Sequence, residues 1–284
     1  MINYKAMSDK TTRKDSLPGY AKLPINHCNL PAAILGSLTF QRHPTDLYID
    51  GVLPLHKTLF DELNNFDNSG ERALIFSKYM SAFFMLDEPD EAGFDKSGRI
   101  DRRRAHYLTL LRGWFFNPDG REGAILKGWV ESRFGLLPRY HGVKIQNTDE
   151  SQYLEYLNQR CAGIYNTNAL EAQIDLVYSY CQFELARRPG DAAHITLYRG
   201  VNDFLQHDIL ERINKSNAIV LLNNINSFSL DAETAGQFGD TVIATQVPLS
   251  KILFFGNLLP VIGMSEKEYA VIGGVYTVQI IDAL

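Results

Sequence analysis

Cysteine is scarce in this chain of 284 residues: there are three, Cys28, Cys161 and Cys181. Their number is odd and no two share a CxxC spacing, which excludes a disulfide framework and a cysteine zinc ribbon and points to reduced thiols in a cytoplasmic protein. Long apolar runs are also missing. Stretches such as Ala218 to Leu222 fall far short of the roughly 20 residues that span a bilayer. Residues 1–22 carry Lys5, Asp9, Lys10, Arg13, Lys14 and Asp15 where a leader peptide would need an apolar core, and they read as a flexible tail. Positive charge is not in excess. Lys plus Arg is 28 against 33 Asp plus Glu, a formal net charge of −5, so the global basic field that grips nucleic acid is absent. The phosphate-cradling GxxxxGK[ST], the GxSxG elbow of serine hydrolases and the dinucleotide-binding glycine fingerprint are absent as well.

No metal site is expected. Asp95 to Ile100 resembles the middle of a calcium loop, but the register puts Gly93 at the first ligand position and Arg104 at the last, and neither can serve. The histidine pairs His27/His43 and His56/His106 have no spacing that would set two rings on one helix face.

What the chain does have is 45% apolar residues in two distinct patterns. Ala73, Phe76, Met80 and Phe83 recur at three- and four-residue steps, as do Leu170, Ile174, Val177, Cys181 and Leu185, which predicts helices over 71–86 and 168–188. Further helices are expected over 55–66, 102–116, 122–134 and 152–164, with Pro118, Gly120 and Pro138 between them. After the turn cluster Arg188-Pro189-Gly190-Asp191 the pattern changes to short β-branched and aromatic runs. Strands are expected at 194–199, 218–222, 225–229, 241–247, 251–255, 268–273 and 275–281, with a short helix over 232–238. The fold class is therefore α+β: a mainly helical portion over 23–190 and a β-rich portion over 191–284, the two folding as one cooperative unit. The cluster Arg99, Arg102, Arg103, Arg104 reads either as the wet face of a helix or as a dock for an acidic partner.

Three pieces of the β portion carry chemistry. Arg199 closes a strand and is followed by Gly200; arginine's planar fork suits a diphosphate, and glycine lets a backbone or ligand approach closely. In Ser227-Phe228-Ser229, strand geometry turns both hydroxyls to one face and the phenyl ring to the other. In Glu266-Lys267-Glu268, the same alternation aims two carboxylates into one space. Each piece alone is weak, but their order within one short stretch is not easily coincidental.

That order resembles the Arg-Ser-Glu class of ADP-ribosyltransferases: an arginine strand, an S-T-S-like strand followed by a helix, here through Ala235-Gly236-Gln237-Phe238-Gly239, and a late E-x-E. Phe228 replaces the usual central threonine. The N-terminal blocks His27 to Pro31, Ile34 to Gln41, Ile49 to Val52 and Arg102 to Phe115 are similar to the dinitrogenase reductase ADP-ribosyltransferases of nitrogen-fixing bacteria. The likeness runs from about Pro24 to the C-terminus. It implies transfer of ADP-ribose from NAD+, consumed as a substrate, to an arginine of the nitrogenase iron protein, with a PII-type nitrogen-signalling protein as a regulator. It further implies that Glu268 serves the NAD+ chemistry and Glu266 the arginine acceptor, that Arg199 holds the phosphate or ribose region, and that Ser227 orients the nicotinamide ribose. Ser229 either joins that site or caps the following helix, and Gly200 supplies close backbone contact to nicotinamide. An arginine-directed transferase for another target, an NAD+ glycohydrolase and a non-catalytic binding module of the same fold are the competing readings.

Overall fold

The computed structural model describes residues 15–87, 105–164, 169–202, 208–259 and 267–281, and the statements below concern these. The first part is helical: α1 (Ala32–Leu35), α2 (Leu38–Arg42), α3 (Val52–Leu55), α4 (Lys57–Leu63), α5 (Ser69–Phe84), α6 (Tyr107–Phe116), α7 (Arg121–Phe134), α8 (Ser151–Gly163) and α9 (Ala169–Leu185). A hairpin, β1 (Tyr140–His141) and β2 (Val143–Lys144), interrupts it after α7. The rest is β3 (His194–Val201), β4 (Asp208–Arg212), β5 (Asn217–Ser229), α10 (Ala232–Gly236), β6 (Thr241–Pro248), β7 (Ile252–Phe255) and β8 (Glu268–Ile281). This is the expected α+β arrangement.

Local chemistry sets the helix ends. Asn68 caps α5 by accepting from the amides of Gly70 and Glu71 at 2.8 and 3.1 Å, and the helix stops where Met85 turns left-handed at φ 51°. α7 ends at Gly135, φ 68°, the conformation glycine adopts without penalty. Inside, Phe76 of α5 stacks on Tyr180 of α9 at 4.1 Å, and Trp129 and Phe134 of α7 both pack on Tyr178. Phe115 of α6 meets Phe254 of β7 edge to face at 5.3 Å, so the helices bury their stripes against the sheet as well as each other. One continuous apolar cluster runs from Leu17 to Val278.

The sheet order is β4-β5-β3-β6-β8-β7, antiparallel throughout, with a further pairing of β5 on β8. That extra pairing closes β5, β3, β6 and β8 into a ring. Two long strands make the closure possible. β5 and β8 were each expected as two short strands, but each runs unbroken through the position of the expected gap, where the ladder slips between Leu222 and Ile225 opposite Gly273 and Gly274. A Cβ on Gly273 would stand 1.7 Å from the carbonyl oxygen of Asn223, so the glycine marks a close backbone crossing inside a strand rather than a loop. β4 and the β1–β2 hairpin were not anticipated. The five residues of β4 are largely half-buried, and such a sequence shows no clear alternation.

Of the tail expected over residues 1–22, residues 1–14 lie outside the described residues and residues 15–22 are packed against the rest. Leu17 and Ala21 are buried, Leu23 donates its amide to Gly135 O at 2.8 Å, and Lys22 bridges to Leu136. Cys28 and Cys181 are buried, as expected for most of the thiols, and Cys161 is exposed. The arginine cluster at 99 and 102–104 lies outside the described residues. No described helix is long and apolar enough to cross a membrane.

Candidate active site

Strand register brings the serine and glutamate pieces together. Ser229 pairs with Glu268 across β5 and β8, and Tyr198 of β3 pairs with Ser229 from the other side. Directly opposed residues share a face, and alternation adds Ser227 and Gly200 to it. Ser227 and Glu268 remain part-exposed on that face, while Phe228 points the other way and is buried, so its replacement of the usual threonine is absorbed by the core. The backbone of Glu268 is held by its ladder and by Gly256, whose amide donates to Glu268 O at 2.9 Å. Glu266 lies outside the described residues.

Arg199 lies one residue along and therefore faces the core side, between Leu197 and Val201. It meets the serine strand all the same, because Nη1 donates to Ser227 O at 2.7 Å. Its Nε is shielded from solvent and has no partner among the described residues. Burial holds the guanidinium below its ordinary pKa, against the opposing pull of Asp119. An inward-turned cation with an unused donor, at the edge of a cleft, fits the diphosphate of a dinucleotide.

Ser229 is buried, and its Oγ accepts the amide of Asp231 at 3.2 Å. Asp231 in turn caps α10 by accepting from Glu233 N at 3.1 Å. The cap of α10 is therefore Asp231, and Ser229 holds the turn that leads to it. Gly200 is required by packing: a Cβ there would sit 2.1 Å from Ala235 O and 2.9 Å from Gly239 N. α10 thus rests directly on the β3 backbone, and the loop after it sets Phe238, 65% exposed, at the cleft.

That cleft, of about 260 Å³, opens beside Arg199 and Gly200. Its opposite wall is the β1–β2 hairpin, with Arg139, Tyr140 and Lys144, and its floor includes Asp208, Asn223 and Asn226. Sequence reasoning missed these residues. The one available signal was Pro138-Arg139-Tyr140-His141-Gly142, where a glycine, here at φ 69°, marks a tight turn. A larger groove, of about 420 Å³, lies between residues 44–53, α9 and Leu249–Ser250 and contains none of the expected site residues.

The hairpin is anchored from beneath. Lys127 of α7 is fully buried, pairs with Asp119 at 2.7 Å and donates to Nδ1 of His141 at 3.0 Å. His141 is therefore neutral, with Nε2 as the donor to Gln159 Oε1 at 3.0 Å. Burial and the neighbouring Lys127 charge push its pKa down, and burial pushes Lys127 down to about 8. From the β portion, Asn223 accepts from Arg139 N and donates to Tyr140 O, both at 2.9 Å. Asn224 donates to Lys127 O and Leu136 O at 2.8 and 3.0 Å. The slip in β5 is thus where the two portions are joined.

Comparison with known proteins was made for the whole chain. The family model described as dinitrogenase reductase ADP-ribosyltransferase matches residues 25–280. A relative from Rhodospirillum rubrum, the NAD(+)--dinitrogen-reductase ADP-D-ribosyltransferase, is 41% identical over 263 residues, which cover 89% of this chain and 93% of the relative. No solved structure matches. With both the family model and this relative spanning most of its length, the chain belongs to the dinitrogenase reductase ADP-ribosyltransferase family.

Proposed function

We propose that this enzyme moves ADP-ribose from NAD+ to an arginine of dinitrogenase reductase, the nitrogenase iron protein, and so switches nitrogen fixation off, with a PII-type nitrogen-signalling protein as its regulator. The observation that carries the reading is the Tyr198–Ser229–Glu268 register, which sets the arginine, serine and glutamate pieces side by side at one end of a closed sheet, in a chain of this family.

The chemistry assigns each residue a task. The bond from ribose C1′ to the nicotinamide nitrogen breaks, and its electron pair leaves with nicotinamide, which departs neutral. Positive charge develops at C1′, as in glycoside hydrolysis, and the Glu268 carboxylate stabilises it and orients the ribose hydroxyls. Ser227, on the same face, holds that ribose and the carboxylate in register. Arg199 binds the phosphates with the donor left unused by the protein. The acceptor guanidinium has a pKa above about 12 and is a poor nucleophile until a base takes its proton. Glu266 takes it as the new C1′–N bond forms and releases it to solvent. Ser229 and Gly200 act by holding α10 against β3.

The test is to mix protein, NAD+ and iron protein and to measure the mass added to a single arginine. Glu268→Gln should lower both transfer and NAD+ cleavage by about 10²–10³-fold with an unchanged circular dichroism spectrum, and Glu266→Gln should lower transfer more than cleavage. A folded Glu268→Gln protein that modifies its target at the normal rate would sink the assignment. NAD+ cleavage with no transfer to any arginine would favour a glycohydrolase.

A further inference from the structure

Among its described lining residues the cleft carries more positive than negative charge. Three cations, Arg139, Lys144 and Arg199, face the cleft, and Asp208 is the one carboxylate among its described lining residues. Asp208 serves two of them at once, Arg139 Nε at 3.1 Å and Lys144 Nζ at 2.6 Å. Arg199 donates Nη1 to the Ser227 carbonyl and its Nε has no partner among the described residues, while Asp119, which also acts on it, is engaged by Lys127 at 2.7 Å. Three positive charges less one negative leave two, the charge of a dinucleotide's diphosphate at neutral pH.

Arg139 is also held in place before anything binds. The backbone of Arg139 is fixed by Asn223, its Nη1 donates to Gln146 O at 2.9 Å, and its guanidinium lies over the ring of Tyr20 at 4.5 Å. A cation fixed this way loses little freedom when an anion arrives, so more of the interaction appears as affinity. Lys144, its side chain 43% exposed, stands at the rim, where a flexible point charge meets an incoming phosphate first.

We propose that Arg139 and Lys144 of the β1–β2 hairpin, together with the shielded Nε of Arg199, form the seat of the NAD+ diphosphate, and that Asp208 is a resident counter-ion holding the two hairpin cations until the diphosphate takes its place. This rests on the reading of the protein as an enzyme that consumes NAD+. It gives the helical portion a part in binding the nucleotide, beside any part in recognising the target.

Two substitutions in one ion pair separate this from a purely structural cluster. Lys144→Gln should raise the KM for NAD+ about tenfold, the ~1.4 kcal/mol of one charge-assisted bond at a part-exposed site, with kcat nearly unchanged. Asp208→Asn should lower the KM, because it removes a charge that competes with the diphosphate. Inhibition by ADP-ribose, which carries the diphosphate, should follow the KM in both variants, and inhibition by nicotinamide, which lacks it, should stay constant. Both KM values moving the same way, or neither moving while wild-type protein transfers normally, would overturn this inference alone. Wild-type protein that neither binds nor cleaves NAD+ would overturn the functional reading and this inference with it.

Discussion

Replacing Gly200 by alanine tests whether that residue serves the fold or the ligand. The new methyl carbon would stand 2.1 Å from Ala235 O and 2.9 Å from Gly239 N, whereas ordinary contact begins near 3.4 Å. Relief requires α10 to withdraw by about an ångström, since both obstacles are backbone atoms on a helix end and its following turn. Overpacking of this kind costs about 1–3 kcal/mol, and in a chain of this size each kcal/mol lowers the melting temperature by about 2–4 °C. A fall of about 5 °C is therefore expected, read by differential scanning calorimetry. The displaced α10 carries Phe238 at the cleft edge, so the KM for NAD+ should rise as well, and the two effects should be relieved together by adding NAD+ to saturation. A Gly200→Ala protein that melts with wild type and yet binds NAD+ poorly would refute the packing argument, because the glycine would then be needed only for the approach of the ligand.

Two further predictions concern the joint between the portions. Asn224→Ala removes the donor shared by two carbonyls, Lys127 O and Leu136 O, of which only the first keeps a helical partner, and should destabilise the protein by ~1–3 kcal/mol in urea titration; an unfolding midpoint equal to wild type would show that the junction does not depend on this side chain. Lys251 is fully buried, donates to Gly273 O at 2.7 Å and lies over the rings of Phe40 and Tyr276, and burial pushes its amine down from 10.5 to about 7. Between those two values the unfolded chain holds a proton that the folded chain does not, so this residue's contribution to stability rises with pH across that window and falls as pH drops toward 7. Wild type should gain ~1–2 kcal/mol on Lys251→Met between pH 8 and about 9.5, and parallel pH profiles for the two proteins would refute the burial of a neutral amine.

The strands that carry the proposed site were legible in the sequence because their signal is local. Alternation within Ser227-Phe228-Ser229 and the spacing of Glu266 and Glu268 are properties of a few consecutive residues, and the β5–β8 ladder that pairs Ser229 with Glu268 only has to bring two such segments together. The same holds for α5 and α9, whose apolar steps survive into Phe76, Met80, Ile174 and Cys181 as buried residues. The inward turn of Arg199 was harder, because the charges that act on it there, Asp119 and Lys127, come from a segment far along the chain. The hairpin was harder still. Arg139 and Lys144 become cleft residues only through Asn223 and Asp208, 84 and 69 residues from Arg139, and no periodicity links segments at that distance. Residues 15–22 misled for a related reason: their composition is that of a tail, but Leu17 and Ala21 find partners that only the folded chain supplies.

The position of the hairpin follows from the way the β portion closes. A ring of four antiparallel strands needs β5 and β8 to change direction partway, and the slip between Leu222 and Ile225 provides the change while freeing Asn223 and Asn224 from the regular ladder. Freed backbone and amide groups inside a protein must find other partners. The side-chain amides of these two asparagines bond Arg139, Tyr140, Lys127 and Leu136, so the place where the ladder slips is also where the sheet grasps the helical portion. That point sets the hairpin's cations opposite Arg199. The same irregularity that lets the sheet close therefore fixes the second wall of the cleft beside Arg199, and a change that straightened β5 would be expected to cost affinity for NAD+ before it cost the integrity of the Ser229–Glu268 ladder.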